Sequence, residues 1–182
     1  LVLWNLPLQT VKPTALLCNI VVVTGACWVF YQSGHLKWKA VFPLLASGIP
    51  MAFLGAYWRI SNATSLAVLG ISLVVAGLSL LLPAGNANET IQEPKASPAH
   101  YLLGGATGLL SGMVGIGGGI FLAPILYKTR WGNGKHIAAA SSVFIFFNSI
   151  AGLGGQFARN HNLPFAFALP LMFVVLLGGQ LG

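Results

Sequence analysis

Six long stretches of this chain contain no Asp, Glu, Lys or Arg: 14–32, 40–58, 64–83, 101–127, 136–158 and 163–182. As helices rising about 1.5 Å per residue, they are long enough to approach a hydrocarbon core of roughly 30 Å. A water-soluble fold must cover its outside with polar side chains. Here only 6% of the residues are charged, against about 25% in an ordinary soluble domain. The runs do not alternate apolar and polar positions, as the strands of a membrane barrel would. The expected fold class is therefore an all-α integral membrane protein, a polytopic helical bundle.

The net charge of +7 comes from nine Lys and Arg against two acids. These bases are scattered singly between apolar runs, so they read as anchors at the membrane edge rather than as a nucleic-acid face. The lipid bilayer is the expected partner, and no nucleic acid is. Trp28, Tyr31, Trp38, Tyr57, Trp58, Tyr101, Tyr127 and Trp131 fall near the ends of the stretches, where an interfacial aromatic belt belongs. Cys18 and Cys27 are nine apart in one apolar run. That spacing suits neither a disulfide framework nor a metal site, and they read as small packing residues.

One stretch is too long. As a straight helix, 101–127 would span about 40 Å. Its middle reads Gly112-Met113-Val114-Gly115-Ile116-Gly117-Gly118-Gly119, with Pro124 beyond. Glycine costs about 1 kcal/mol per position inside a helix, so a broken or re-entrant helix is expected at 101–127. The pattern is neither the Rossmann nor the P-loop fingerprint, and no cofactor is expected.

Two readings of the glycines stand side by side. Small residues let membrane helices pack closely. Alternatively, a helix restarting near Ile120 leaves its first amides unpaired, and Gly115, Gly117, Gly118 and Gly119 would let an anion approach that backbone. No Lys or Arg falls inside the six stretches, so such an anion is expected to be held by amides and hydroxyls. Candidates on the next stretch are Ser141, Ser142, Asn148 and Gln156. Ser141 and Asn148 are two helical turns apart on one face. Asn19 would be the counterpart of Asn148. Pro124, Pro43 and Pro170 are candidate structural or gating positions, as is His136, which opens a stretch beside Lys135. Enzyme chemistry lacks its residues: both carboxylates, Glu89 and Glu93, lie in the hydrophilic segment 84–100.

That segment reads as a linker between a first repeat, 1–83, and a second, 101–182. Sliding the chain by 127 matches Leu36 with Leu163, Pro43 with Pro170, Leu44 with Leu171, Leu54 with Leu181 and Gly55 with Gly182. Internal duplication is a common build of membrane transporters. On this shift, a first glycine motif would precede Leu1 and the partner of 64–83 would follow Gly182. If 101–127 crosses the membrane once, the bases divide five to four between the faces. If it dips in and returns, the division is six to three, which leans towards re-entry with the linker cytoplasmic.

Gly108-Leu109-Leu110-Ser111-Gly112 through Gly119 with Pro124, then Ala138-Ala139-Ala140-Ser141-Ser142 and Asn148, resembles the second-repeat signature of the sulfite exporter TauE/SafE family. Leu6 to Asn19, with Gly34-His35, Trp38, Pro43 and Ile49 to Gly55, looks like the first repeat past its own glycine motif. The resemblance implies a multi-pass transporter of the bacterial inner (cytoplasmic) membrane. It also implies a secondary transporter, an exporter, of small sulfur-containing anions such as sulfite, thiosulfate or sulfonates. The alternative is a channel-like or scaffold component in which the glycines only pack helices.

Overall fold

The computed structural model describes residues 8–58, 61–81, 97–159 and 165–181. Within them the chain forms seven helices: α1 (Leu8–Gln32), α2 (Trp38–Tyr57), α3 (Asn62–Leu81), α4 (Ala99–Val114), α5 (Gly119–Lys128), α6 (Gly134–Arg159) and α7 (Phe165–Leu181). Three stretches, Val11–Gln32, Trp38–Tyr57 and Gly134–Arg159, are long and apolar enough to cross a membrane. Most of the linker expected at 84–100, including Glu89 and Glu93, lies outside the described residues; Ala99 and His100 belong to the first turn of α4.

Side-chain caps mark two of the helix starts. Ser61 Oγ accepts the Thr64 N–H (3.2 Å), and Asn133 Oδ1 accepts the His136 N–H (2.8 Å). Each satisfies one of the amides that a helix start leaves unpaired. Pro13, Pro43, Pro50, Pro124 and Pro170 all lie inside helices, which membrane bundles tolerate because neighbours satisfy the freed carbonyls.

Polarity is distributed for a bilayer. Outward-facing side chains include Ile71, Val75 and Phe173, each exposed by more than 60%, whereas Thr14, Ser111 and Ser149 are fully buried. The core joins Ala40, Val41 and Leu44 of α2 to Leu122 and Leu126 of α5 and to Ile137, Val143 and Phe144 of α6.

α4 lies along α2 on a stripe of glycines four residues apart. A Cβ at Gly104, Gly108 or Gly112 would overlap the carbonyl oxygen of Leu44, Gly48 or Ala52 respectively. The matched order of those pairs makes the two helices parallel. Only glycine permits backbones this close, and close approach is how helices gain contact inside lipid.

The long stretch 101–127 is re-entrant. α4 and α5 are separate helices, and Trp131, just beyond α5, meets His100 at the start of α4 edge-on, with ring centroids 6.2 Å apart. The hairpin thus enters and leaves on one face of the bundle, called here the near face. Gly104 beside Leu44 and Gly112 beside Ala52 put the turn towards the opposite, far face, where α2 ends.

Candidate functional site

The tip of the hairpin is built by glycines in a backbone conformation that other residues rarely adopt. Gly115 (φ +84°), Gly117 (φ +83°) and Gly118 (φ +82°) are all left-handed, a region that costs a side-chain-bearing residue roughly 1–2 kcal/mol. Gly115 ends α4, its N–H donating to the Ser111 carbonyl at 2.7 Å. Gly118 caps α5 through its carbonyl, which accepts from Phe121 N–H (3.1 Å) and Leu122 N–H (3.2 Å). Gly115, Gly117, Gly118 and Gly119 are buried, so the break is closed to solvent.

Polar side chains from three helices surround this turn. Asn19 of α1 donates from Nδ2 to the Ile116 carbonyl at 2.9 Å. From the point where a Cβ of Gly117 would sit, Ser149 Oγ is 2.9 Å away and Asn19 Nδ2 is 3.1 Å away. The equivalent point on Gly118 lies 3.2 Å from Ser111 Oγ and 3.0 Å from the Phe144 ring. The other edge of that ring packs on Gly48, whose Cβ position is 3.3 Å from Asn148 Oδ1. Ser111, Asn148 and Ser149 are almost completely buried, and Ser141 nearly so. Their side-chain oxygens, together with Asn148 Nδ2 and Gln156 Nε2, have no hydrogen-bond partner among the described residues. A buried hydroxyl or amide left unpaired costs about 1–3 kcal/mol, and most proteins avoid it. Several such groups beside one helix break form an unusual concentration of unused hydrogen-bonding capacity.

The sequence-predicted residues separate into groups. Gly115, Gly117, Gly118 and Asn19 meet at the break, and Asn148 lies just behind Phe144. Gly119 packs against Ile145, which its Cβ would overlap. Ser141 and Ser142 diverge: the Ser142 hydroxyl donates to the Ala138 carbonyl of its own helix at 2.8 Å, whereas Ser141 Oγ has no partner. His136 opens α6 on the near face with its ring 6.0 Å from that of His35. Pro43 is buried within α2, and Pro124 and Pro170 lie within α5 and α7. None of these four touches the break in the contacts just described.

One expectation is overturned. Lys12, taken to lie outside the first span because 14–32 was bounded by charge, sits inside α1 and inside its membrane-length stretch. Its ammonium donates to the Met113 carbonyl (2.8 Å) and to Ser65 Oγ (2.9 Å). Its stem packs on Gly115, with Lys12 Cβ 3.1 Å from that glycine's Cβ position. A cation therefore does reach the break, because a lysine stem carries its charge well away from its own backbone. Ser111 and Ser149 were also missed. The signal available for Ser149 was its place next to Asn148, and for Ser111 its place one turn before Gly115.

Comparison with known proteins gives a consistent picture. The profile of the family described as "Sulfite exporter TauE/SafE" matches residues 1–182. The "Probable membrane transporter protein y4hK" of Sinorhizobium fredii is 34% identical over 175 residues, covering 94% of this chain and 70% of that protein. The "Probable membrane transporter protein MamO" of Magnetospirillum gryphiswaldense is 24% identical and that of Paramagnetospirillum magneticum 26% identical; the match covers all of this chain but 35% of each MamO. No solved structure matches the chain.

Proposed function

The chain belongs to the sulfite exporter TauE/SafE family and is a membrane transporter, and from this premise we propose that it carries small sulfur-containing anions such as sulfite, thiosulfate or sulfonates across the inner membrane. The anion is held at the hairpin tip by α5 amides next to Gly117–Gly119. Ser111, Ser141, Asn148, Ser149 and Asn19 complete its hydrogen bonds. The observation that carries this reading is the group of buried, unpaired side-chain oxygens beside the helix start. A sulfur oxyanion offers acceptors to every hydroxyl and amide N–H there, and the positive end of the α5 dipole favours its charge.

The transport cycle is a secondary, rocking one in which the closed break opens in turn to each face. The described bases on the near face are Lys37, Lys39, Lys128, Arg130 and Lys135, against Lys12 and Arg159 towards the far one, so the positive-inside tendency makes the near face cytoplasmic. Export then loads the anion from the near face.

The packing-only reading draws support from Gly104, Gly108, Gly112 and Gly119, which all abut neighbouring atoms. It leaves the unpaired oxygens without a role. The two roles divide along the motif, the α4 stripe for contact and the tip for the ligand. The test is thermal stability of the full-length protein in detergent with sulfite, thiosulfate, taurine, sulfoacetate and sulfate. A ligand of the folded state raises the midpoint by mass action. A selective rise supports the site, and no rise with any of them at tens of millimolar overturns it.

A further inference from the structure

Among the described residues, Lys12 is a cation without an anion. It is half-buried in α1, and both hydrogen bonds it makes go to neutral oxygens, Met113 O and Ser65 Oγ. The chain's two acids, Glu89 and Glu93, lie in 82–96, so among the described residues there is no side-chain carboxylate at all. An ammonium taken partly out of water and left without a counter-charge is costly.

Its surroundings give the charge a direction. Arg159 lines an open cavity of about 640 Å³ with Leu54, Tyr57, Trp58 and Ala158, at the far end of α2 and α6. Lys12 lies against Gly115, the first glycine of the break. Asn19, two turns along α1 from Lys12, contacts Ile116 at the same turn. One cation thus stands at the far-face cavity and another at the break.

Resting on the sulfur-anion reading above, we propose that Lys12 supplies the counter-charge of the transported anion, which its ammonium engages as the anion passes between the Arg159 cavity and the hairpin tip. Two of the three ammonium protons already have acceptors, which fixes the group in place, and the third is available to an oxyanion. The competing role is purely structural. A lysine at a helix C-terminus also stabilises the last carbonyls, here Met113, and the dipole.

Substrate charge separates the two roles. Binding of thiosulfate, a dianion, and methanesulfonate, a monoanion, is measured on the full-length protein and on Lys12→Gln and Lys12→Arg. Glutamine can still donate to Met113 or Ser65 but carries no charge. The expected result is about a tenfold or greater loss of thiosulfate affinity in Lys12→Gln and a smaller loss for methanesulfonate, so that the preference for the dianion collapses. Lys12→Arg keeps that preference. A Lys12→Gln variant that loses thermal stability yet keeps the wild-type preference overturns the proposal in favour of the cap. If the glutamine variant does not fold, the wild-type protein decides. Saturating thiosulfate protects Lys12 from acetylation by an amine-reactive reagent, read by mass spectrometry, and an unprotected Lys12 overturns the proposal. Wild-type protein that binds neither anion overturns the sulfur-anion reading and this one with it.

Discussion

Replacing Ser111 by alanine separates a ligand-binding hydroxyl from a structural one. Ser111 is fully buried at the last turn of α4, and its Oγ bonds to nothing among the described residues. Without ligand, the substitution removes an unpaired polar group that costs about 1–3 kcal/mol and loses no hydrogen bond. The ligand-free protein should therefore become more stable, by about 1 kcal/mol. With ligand the sign reverses, because a hydrogen bond to a charged group contributes about 1.5–3 kcal/mol, or roughly tenfold or more in affinity. At thiosulfate equal to about one hundred times the wild-type Kd, the wild type gains about 2.7 kcal/mol and a tenfold weaker variant about 1.4 kcal/mol. Midpoints of thermal unfolding in detergent, with and without thiosulfate, measure both effects on one sample. A Ser111→Ala protein whose ligand-free midpoint falls while its thiosulfate shift is unchanged would refute the reasoning, since the hydroxyl would then hold the fold together.

Gly118→Ala should cost about 1–2 kcal/mol from its left-handed backbone alone. Contacts to Phe144 and Ser111 at 3.0 Å add to this, so its thermal midpoint should fall whichever role the tip serves. Gly108→Ala drives a Cβ into the Gly48 backbone and should destabilise by about 1–3 kcal/mol. Gly105→Ala, whose nearest neighbour is 3.7 Å away, should stay within about 0.5 kcal/mol of wild type; the difference between the two in detergent unfolding tests the α2–α4 stripe. In a Cys18→Ala, Cys27→Ala background, His100→Cys and Trp131→Cys should react with an impermeant maleimide from the same side of sealed vesicles. Labelling from opposite sides would contradict the hairpin.

The elements that cross or dip into the membrane were legible because lipid leaves so few solutions. Charge-free stretches delimit helices, and three adjacent glycines cannot sit in one. Whether 101–127 crossed or returned was a close decision from the charge count, and the contact between His100 and Trp131 decides it, a tertiary fact no local pattern contains. The site was partly legible. Gly117 and Asn19 were readable as backbone access and a polar group in an apolar run. Ser141 and Ser142 look alike in sequence, yet their side-chain rotamers, which no local pattern fixes, send the Ser142 hydroxyl to its own backbone and leave that of Ser141 unpaired. Lys12 was misplaced because spans were bounded at charges, a rule about backbone position that a long side chain does not obey.

The hairpin also sets where the membrane voltage acts. From Tyr101 to Val114, α4 rises about 21 Å, roughly two thirds of a 30 Å core, so the break lies electrically nearer the far face. Moving one charge through 100 mV is worth about 2.3 kcal/mol. On the proposed route, a monoanion moving between the near face and the break would traverse about 1.5 kcal/mol of that, and about 0.8 kcal/mol would remain for the far leg. If the near face is cytoplasmic and the cell interior negative, the field drives an exported anion outward most strongly on its way to the tip. Release from the tip then feels about half as much of the field as loading does, so it depends more on how tightly the surrounding side chains hold the anion.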